Sequence, residues 1–197
     1  MEYKFIFPNF VLTNKKIFTM KKIIAFAGSD SKTSINKQLV TYASNLINGF
    51  EVEILDLNDY PLPTYSVNIE KESGFPENAK LFLEKLKTAD AFIISLAEHN
   101  NAYTAVFKSL MDWLSRIELN FFFNKPLLLM STSPGARAAI SSFSMGEERF
   151  PRHSAEIVST FNLPSFNDNF KDEKIIEDAL NEELKQAVDK LTSVLNK

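Results

Sequence analysis

The sequence predicts an α/β protein with a five-stranded parallel sheet, strand order 2-1-3-4-5, and helices on both faces. Two patterns lead there. Short apolar runs of the kind buried on both sides alternate five times with stretches of helical spacing. Right-handed crossovers then leave few topologies, of which this order is the simplest. In addition, the loops leaving three of the strands, Gly28–Asn36, Ala97–Tyr103 and Ser131–Ala136, are rich in small or amide residues. Sheets of this kind bind ligands beyond their strand C-termini, where the strand order reverses.

The organising stretch is Lys22–Asn36, KIIAFAGSDSKTSIN. Ile23 to Ala27 forms the first strand and Gly28 ends it. Ile35, Leu39, Tyr42, Ala43, Leu46 and Ile47 then follow at helical spacing. Phe50–Leu55 is the second strand. Asp56–Ser73, marked by Pro61 and Pro63, reads as a long loop, and loops of that length are more often functional than idle. Pro76 and Glu77 open a helix over Asn78–Thr88. Ala91–Leu96 is the third strand, and a helix from about Thr104 to Ile117 follows its polar loop. Leu127–Met130 is the fourth strand, Ala136 to about Phe150 a helix weakened by Gly146 and Pro151, and Ile157–Leu163 the fifth strand. Lys171–Lys174 is a solvated charge run. The last helix spans about Glu177–Leu195, with an apolar stripe from Leu180 to Leu195.

At 197 residues one domain is expected, beginning at Met20 and running to Lys197. Residues 1–19 read as an extension outside the fold. A sharper alternative makes them an arm that packs on a partner through Phe5, Phe7 and Phe10. A net charge of −3, evenly scattered, argues against nucleic acid and against a membrane surface. No Cys and only two His, His99 and His153, remove thiolate chemistry and leave no expected metal site. The lack of Cys fits a reducing cytoplasm. Phe121-Phe122-Phe123 reads as an exposed aromatic run facing another subunit, or else as rings folded into the core. Asp112 and Arg116 are spaced for a helix-surface ion pair, and Trp113 for the core. Glu147, Glu148, Arg149 and Arg152 read as a solvated turn.

The first loop lacks both GxxxxGK[ST] and GxGxxG, which disfavours triphosphate and dinucleotide sites. Its hydroxyls, its amide and the helix start behind it suit a single terminal phosphate, held by Ser29, Ser34 and Asn36 with Lys32 nearby. The same residues also serve as ordinary turn and cap residues.

Gly28-Ser29 followed by Ser34 and Asn36 resembles the GSxRxxSxN loop of the NADPH-dependent FMN reductase family, which includes quinone and chromate reductases and related azoreductases. Glu98-His99-Asn100-Asn101 with Phe107–Arg116 (FKSLMDWLSR) is similar to the family's PEYNxSxPGxLKNAIDWxSR block, and Ser131–Gly135 to its SxSPG loop. There are departures. Lys32 stands near the family's usual Arg, where a bidentate grip on phosphate becomes a point charge. Ala97 and His99 replace Pro and Tyr, and Ala102–Ala105 stands where the family has Pro-Gly. Arg137-Ala138 replaces a small Gly pair.

The resemblance implies a flavodoxin-like fold and an enzyme that passes hydride from NADPH, or NADH, to FMN. A small acceptor then takes the electrons by a ping-pong mechanism: a quinone, azo compound, chromate or free flavin. It implies contacts to FMN from Ser29, Lys32, Ser34, Ile35, Asn36, Glu98, His99, Asn100, Asn101, Ser133, Pro134 and Gly135. His99 reads either as a proton donor beside the flavin or as a loop histidine that shapes the site without catalysis, and Tyr103 either packs against the flavin or begins the helix. A homodimer or homotetramer is implied as well. The competing expectation keeps the fold and FMN but makes the protein an electron carrier or regulatory module.

Overall fold

The structure, a computed structural model, describes residues 20–197. The expectations placed on residues 1–19, both the extension and the arm, lie outside the described residues. Five strands form one parallel sheet: β1 (Lys22–Ala27), β2 (Glu51–Leu55), β3 (Ala91–Leu96), β4 (Lys125–Thr132) and β5 (Ala155–Leu163). The spatial order is β2-β1-β3-β4-β5, as the alternation predicts, so the order reverses between β1 and β3. Alternating side chains feed two cores. Ile24 and Phe26 face α3 (Glu77–Lys87), α4 (Ala105–Ile117) and α5 (Ile140–Arg149) through Phe82, Phe107, Leu110 and Phe143. Ile23 and Ala25 face α1 (Ile35–Asn45) and the C-terminal helix (Asp178–Leu195) through Leu39, Val40, Leu184 and Leu191.

β5 is longer than its apolar stretch and carries a bulge. Leu127 pairs with Ile157 but Leu128 with Ser159, which leaves Val158 between them. An irregularity of this kind blunts an edge strand against pairing with other chains.

Some sequence expectations are corrected and others hold. The second half of the long Asp56–Ser73 loop is a helix, α2 (Val67–Ser73), because Ser66 accepts a hydrogen bond from Asn68 N and caps it. The first half is strapped down by α4: Ser109 Oγ and Trp113 Nε1 both donate to Pro63 O at 2.8 Å. Trp113 is fully buried. Asp112 does not pair with Arg116. It takes Lys108 Nζ at 2.6 Å, one turn back on α4, and Arg116 reaches across to Glu70 on α2 at 3.0 Å. Phe121 and Phe122 fold into the core, Phe122 edge-on against Phe92 and Phe121 stacked on His153, so this run does not face outward for a subunit. The Lys171–Lys174 charge run is the exposed tip of a small hairpin whose flanks, Phe170 and Ile175, are buried.

The helix expected from Ala136 starts only at Ile140. Ala138 and Ala139 sit at φ 51° and 60°, a left-handed conformation that cannot continue into an α-helix. Gly146 lies inside α5 for a packing reason. A Cβ there would stand 2.7 Å from Leu96 Cδ1, so its absence lets the helix lie close on β3 and β4.

Candidate functional site

The site grows from the end of β1. Gly28 N continues the ladder, donating to Ser95 O at 2.8 Å, and a Cβ on Gly28 would meet the Phe107 ring at 3.1 Å. Thr104 caps α4, accepting from Phe107 N, and its hydroxyl donates to Gly28 O at 2.8 Å. The chain thus turns at Gly28 under close restraint from β3 and α4. Past the turn, Ser34 caps α1 by accepting from Lys37 N at 3.2 Å. The N–H groups of Ile35 and Asn36 have no protein partner among the described residues and remain at the positive end of α1.

Asn36 is nearly completely buried, and its amide is spent inside the protein. Oδ1 accepts from Ser95 Oγ at 2.7 Å and Thr132 N at 3.1 Å, while Nδ2 donates to Thr132 O at 3.1 Å. One side chain therefore locks the first loop to the C-terminal ends of β3 and β4. The sequence reading gave this amide to a phosphate. Its side chain instead holds the three loops in register, and only its backbone N–H is left to face a ligand.

The second loop is a two-residue hairpin, Glu98–His99 paired with Ala102–Tyr103, and not an open loop. Asn100 and Asn101 form its turn at φ 52° and 60°, a conformation Asn tolerates. Glu98 does not offer its carboxylate to the cleft. Oε2 accepts from Ser141 N at 2.8 Å and Ser142 N at 3.0 Å, capping α5, which has no cap of its own at Ala139. Tyr103 packs edge-on against Phe107 with centroids 5.1 Å apart. Burial pushes its phenol well above the usual range, and its hydroxyl has no partner among the described residues. It neither reaches the cleft nor begins the helix.

The third loop folds on itself. Ser133 Oγ donates to Gly135 O and accepts from Ala139 N, both at 3.2 Å, while Ser133 O and Gly135 O accept from Phe166 N and Ser165 N. Thr132 Oγ1 donates to Leu163 O at 2.7 Å, tying the end of β4 to β5.

These loops enclose a cleft of about 210 Å³. Of the residues proposed from sequence, Ser29, Ser34, Ile35, Asn36, Glu98, His99, Ser133 and Pro134 line it together. Asn100, Asn101 and Gly135 lie in the same loops without lining it, and Lys32 faces a neighbouring cavity. Sequence reasoning missed Ser31, Thr33, Ala97 and Thr132 in the lining and Ser95 behind it. Ser95 had left a sign. A lone hydroxyl in the fully buried run AFIISL needs a partner.

The sequence profile of the NADPH-dependent FMN reductase family matches residues 21–148, which include all three loops and α4. The chain belongs to this family. Among its relatives is an NADPH:quinone oxidoreductase of Arabidopsis thaliana, 28% identical over 128 residues, which make up 63% of this chain and 64% of that one. An NAD(P)H-dependent FMN reductase of Pseudomonas aeruginosa is 30% identical over 115 residues, 58% of this chain and 60% of that one. The chain thus covers less than two thirds of the length of either relative. Among solved structures, the flavoenzyme NAD(P)H:(acceptor) oxidoreductase FerB of Paracoccus denitrificans superposes with a TM-score of 0.67 at 20% identity, covering 88% of this chain and 98% of that one. An oxidoreductase of Corynebacterium diphtheriae gives 0.69 at 15% identity, covering 90% and 98%. At these identities the likeness is one of fold, and it is the flavodoxin-like fold the sequence predicts. Among the described residues no helix is long and apolar enough to cross a membrane.

Proposed function

We infer that residues 20–197 form an FMN-dependent NAD(P)H oxidoreductase domain serving a small acceptor such as a quinone, azo compound, chromate or free flavin. The observation that carries this reading is the cleft at the sheet's reversal point. Ser29, Ser31 and Ser34 and the unpartnered N–H groups of Ile35 and Asn36 converge there at the start of α1. The lining fits an anionic flavin tail. Its one carboxylate, Glu98, is turned into α5, so no acidic group opposes a phosphate.

In this reading Ser29, Ser34 and the two backbone N–H groups hold the phosphate. Ile35 and Pro134 supply apolar walls, and the Glu98–Tyr103 hairpin with the Ser133 loop flanks the ring. Bound there, FMN would supply the two-electron chemistry between a reduced nicotinamide and the acceptor, the two substrates visiting in turn. The protein's own contribution is positioning and electrostatics, for which no nucleophile is needed. Asn36 and Glu98 keep the three loops in place. His99 is exposed at the mouth of the cleft, where it shapes access. We assign the protein to the cytoplasm and to a homodimer or homotetramer, in keeping with the family.

The test is direct. Purified protein loaded with FMN is mixed with NADPH without oxygen. Prompt bleaching of the yellow colour, and recovery on adding a quinone, is the expected result. A flavin-loaded protein that keeps its colour under NADPH and NADH refutes the reductase reading.

A further inference from the structure

A second cavity, of about 330 Å³, adjoins the cleft on the far side of the first loop, and Thr33 and Ser34 line both. Sites for small molecules span about 300–1,000 Å³. The cleft alone is smaller than that, and with its neighbour it is not. Lys32 faces only the second cavity and is unpaired among the described residues, whereas Lys37 beside it is held by Asp56. Tyr42 and Phe170, an edge-on aromatic pair with centroids 5.8 Å apart, also line the second cavity, as does Glu173.

We propose that this cavity receives a nucleotide joined to the flavin phosphate, so that the protein takes the adenylate half of FAD there as well as FMN. This rests on the flavin reading of the cleft. A phosphate at Ser34 stands at the wall the two cavities share, so a group esterified to it continues past Thr33 into the second one. A second phosphate then meets the Lys32 ammonium, the base lies against Tyr42 and Phe170, and Glu173 accepts hydrogen bonds from the ribose hydroxyls or the base amino group. No bond is made or broken; the assignment concerns binding alone.

The experiment titrates flavin-free, full-length protein with FMN and with chromatographically purified FAD, following quenching of flavin fluorescence and heat of binding. The same titrations are run on Gln38→Trp, which fills the second cavity from the outer face of α1, and on Lys32→Ala. The expected result is FAD binding within about tenfold of FMN, with Gln38→Trp weakening FAD at least about tenfold while FMN stays within about twofold. Lys32→Ala likewise weakens FAD more than FMN. If FMN binds but FAD is weaker by more than about a hundredfold, or the variants shift both flavins alike, the second cavity is not a nucleotide site. The reductase reading then still stands. If neither flavin binds, the reading of the cleft itself fails.

Discussion

Replacing Asn36 by Ala removes a side chain whose three hydrogen bonds join three loops. Left behind are the Ser95 hydroxyl, fully buried, and the N–H and C=O of Thr132, itself 1% exposed. Leaving one buried polar group unsatisfied costs about 1–3 kcal/mol. Taking the lower figure for each, since a water can enter the space left behind, gives a loss of about 3 kcal/mol. In a chain of this size that lowers the melting temperature by roughly 6–12 °C. The assay is urea unfolding, in which the midpoint falls while the m-value holds, together with FMN titration of the folded variant. Both stability and flavin affinity fall in this account, because the amide holds the loops that hold the flavin. A variant that loses flavin affinity but less than about 0.5 kcal/mol of stability would refute the reasoning and return the amide to direct contact with the phosphate.

Glu98→Ala strips α5 of its cap, so thermal melts should show a loss of about 1–2 kcal/mol, with Glu98→Gln recovering part of it. Tyr103→Phe removes a buried hydroxyl without a protein partner and should leave chemical-denaturation stability unchanged or higher by up to about 1 kcal/mol. Gly146→Ala should cost about 1–3 kcal/mol in the same assay, because the new methyl group meets Leu96 and Leu129. Lys22 and then Lys85 hold the Glu53 carboxyl below its ordinary 4.5. Its contribution is therefore present above that value and is lost as pH falls through the lower folded one. Glu53→Gln should be less stable than the parent by about 1 kcal/mol at pH 7, and the gap should close in melts run towards pH 3.

The sheet was legible because its strands are unbroken apolar runs between strong helical stripes, and β3, AFIISL, is buried at every position. The three loops around the cleft were legible as small-polar stretches at strand ends. What escaped the sequence was the direction of side chains. Asn36 and Glu98 stand in ligand-binding motifs, yet both turn inward, since buried backbone groups at Thr132 and at the start of α5 need partners. The late start of α5 was hidden because Ala138 and Ala139 favour helix by type and are held at positive φ by the Ser131 and Ser133 hydroxyls. The phenylalanine run looked exposed beside two Asn residues, but the turn at Phe123 and Asn124, both at positive φ, tucks Phe121 and Phe122 under the sheet end.

The central claim is that the turn after Gly28 grips a phosphate. Calorimetric titration of the flavin-free protein with FMN and with riboflavin, which differ only in that group, tests it most directly. Binding of FMN at least about tenfold tighter than riboflavin, with the gap narrowing in Ser34→Ala, is the predicted result. Equal affinity for the two would contradict it.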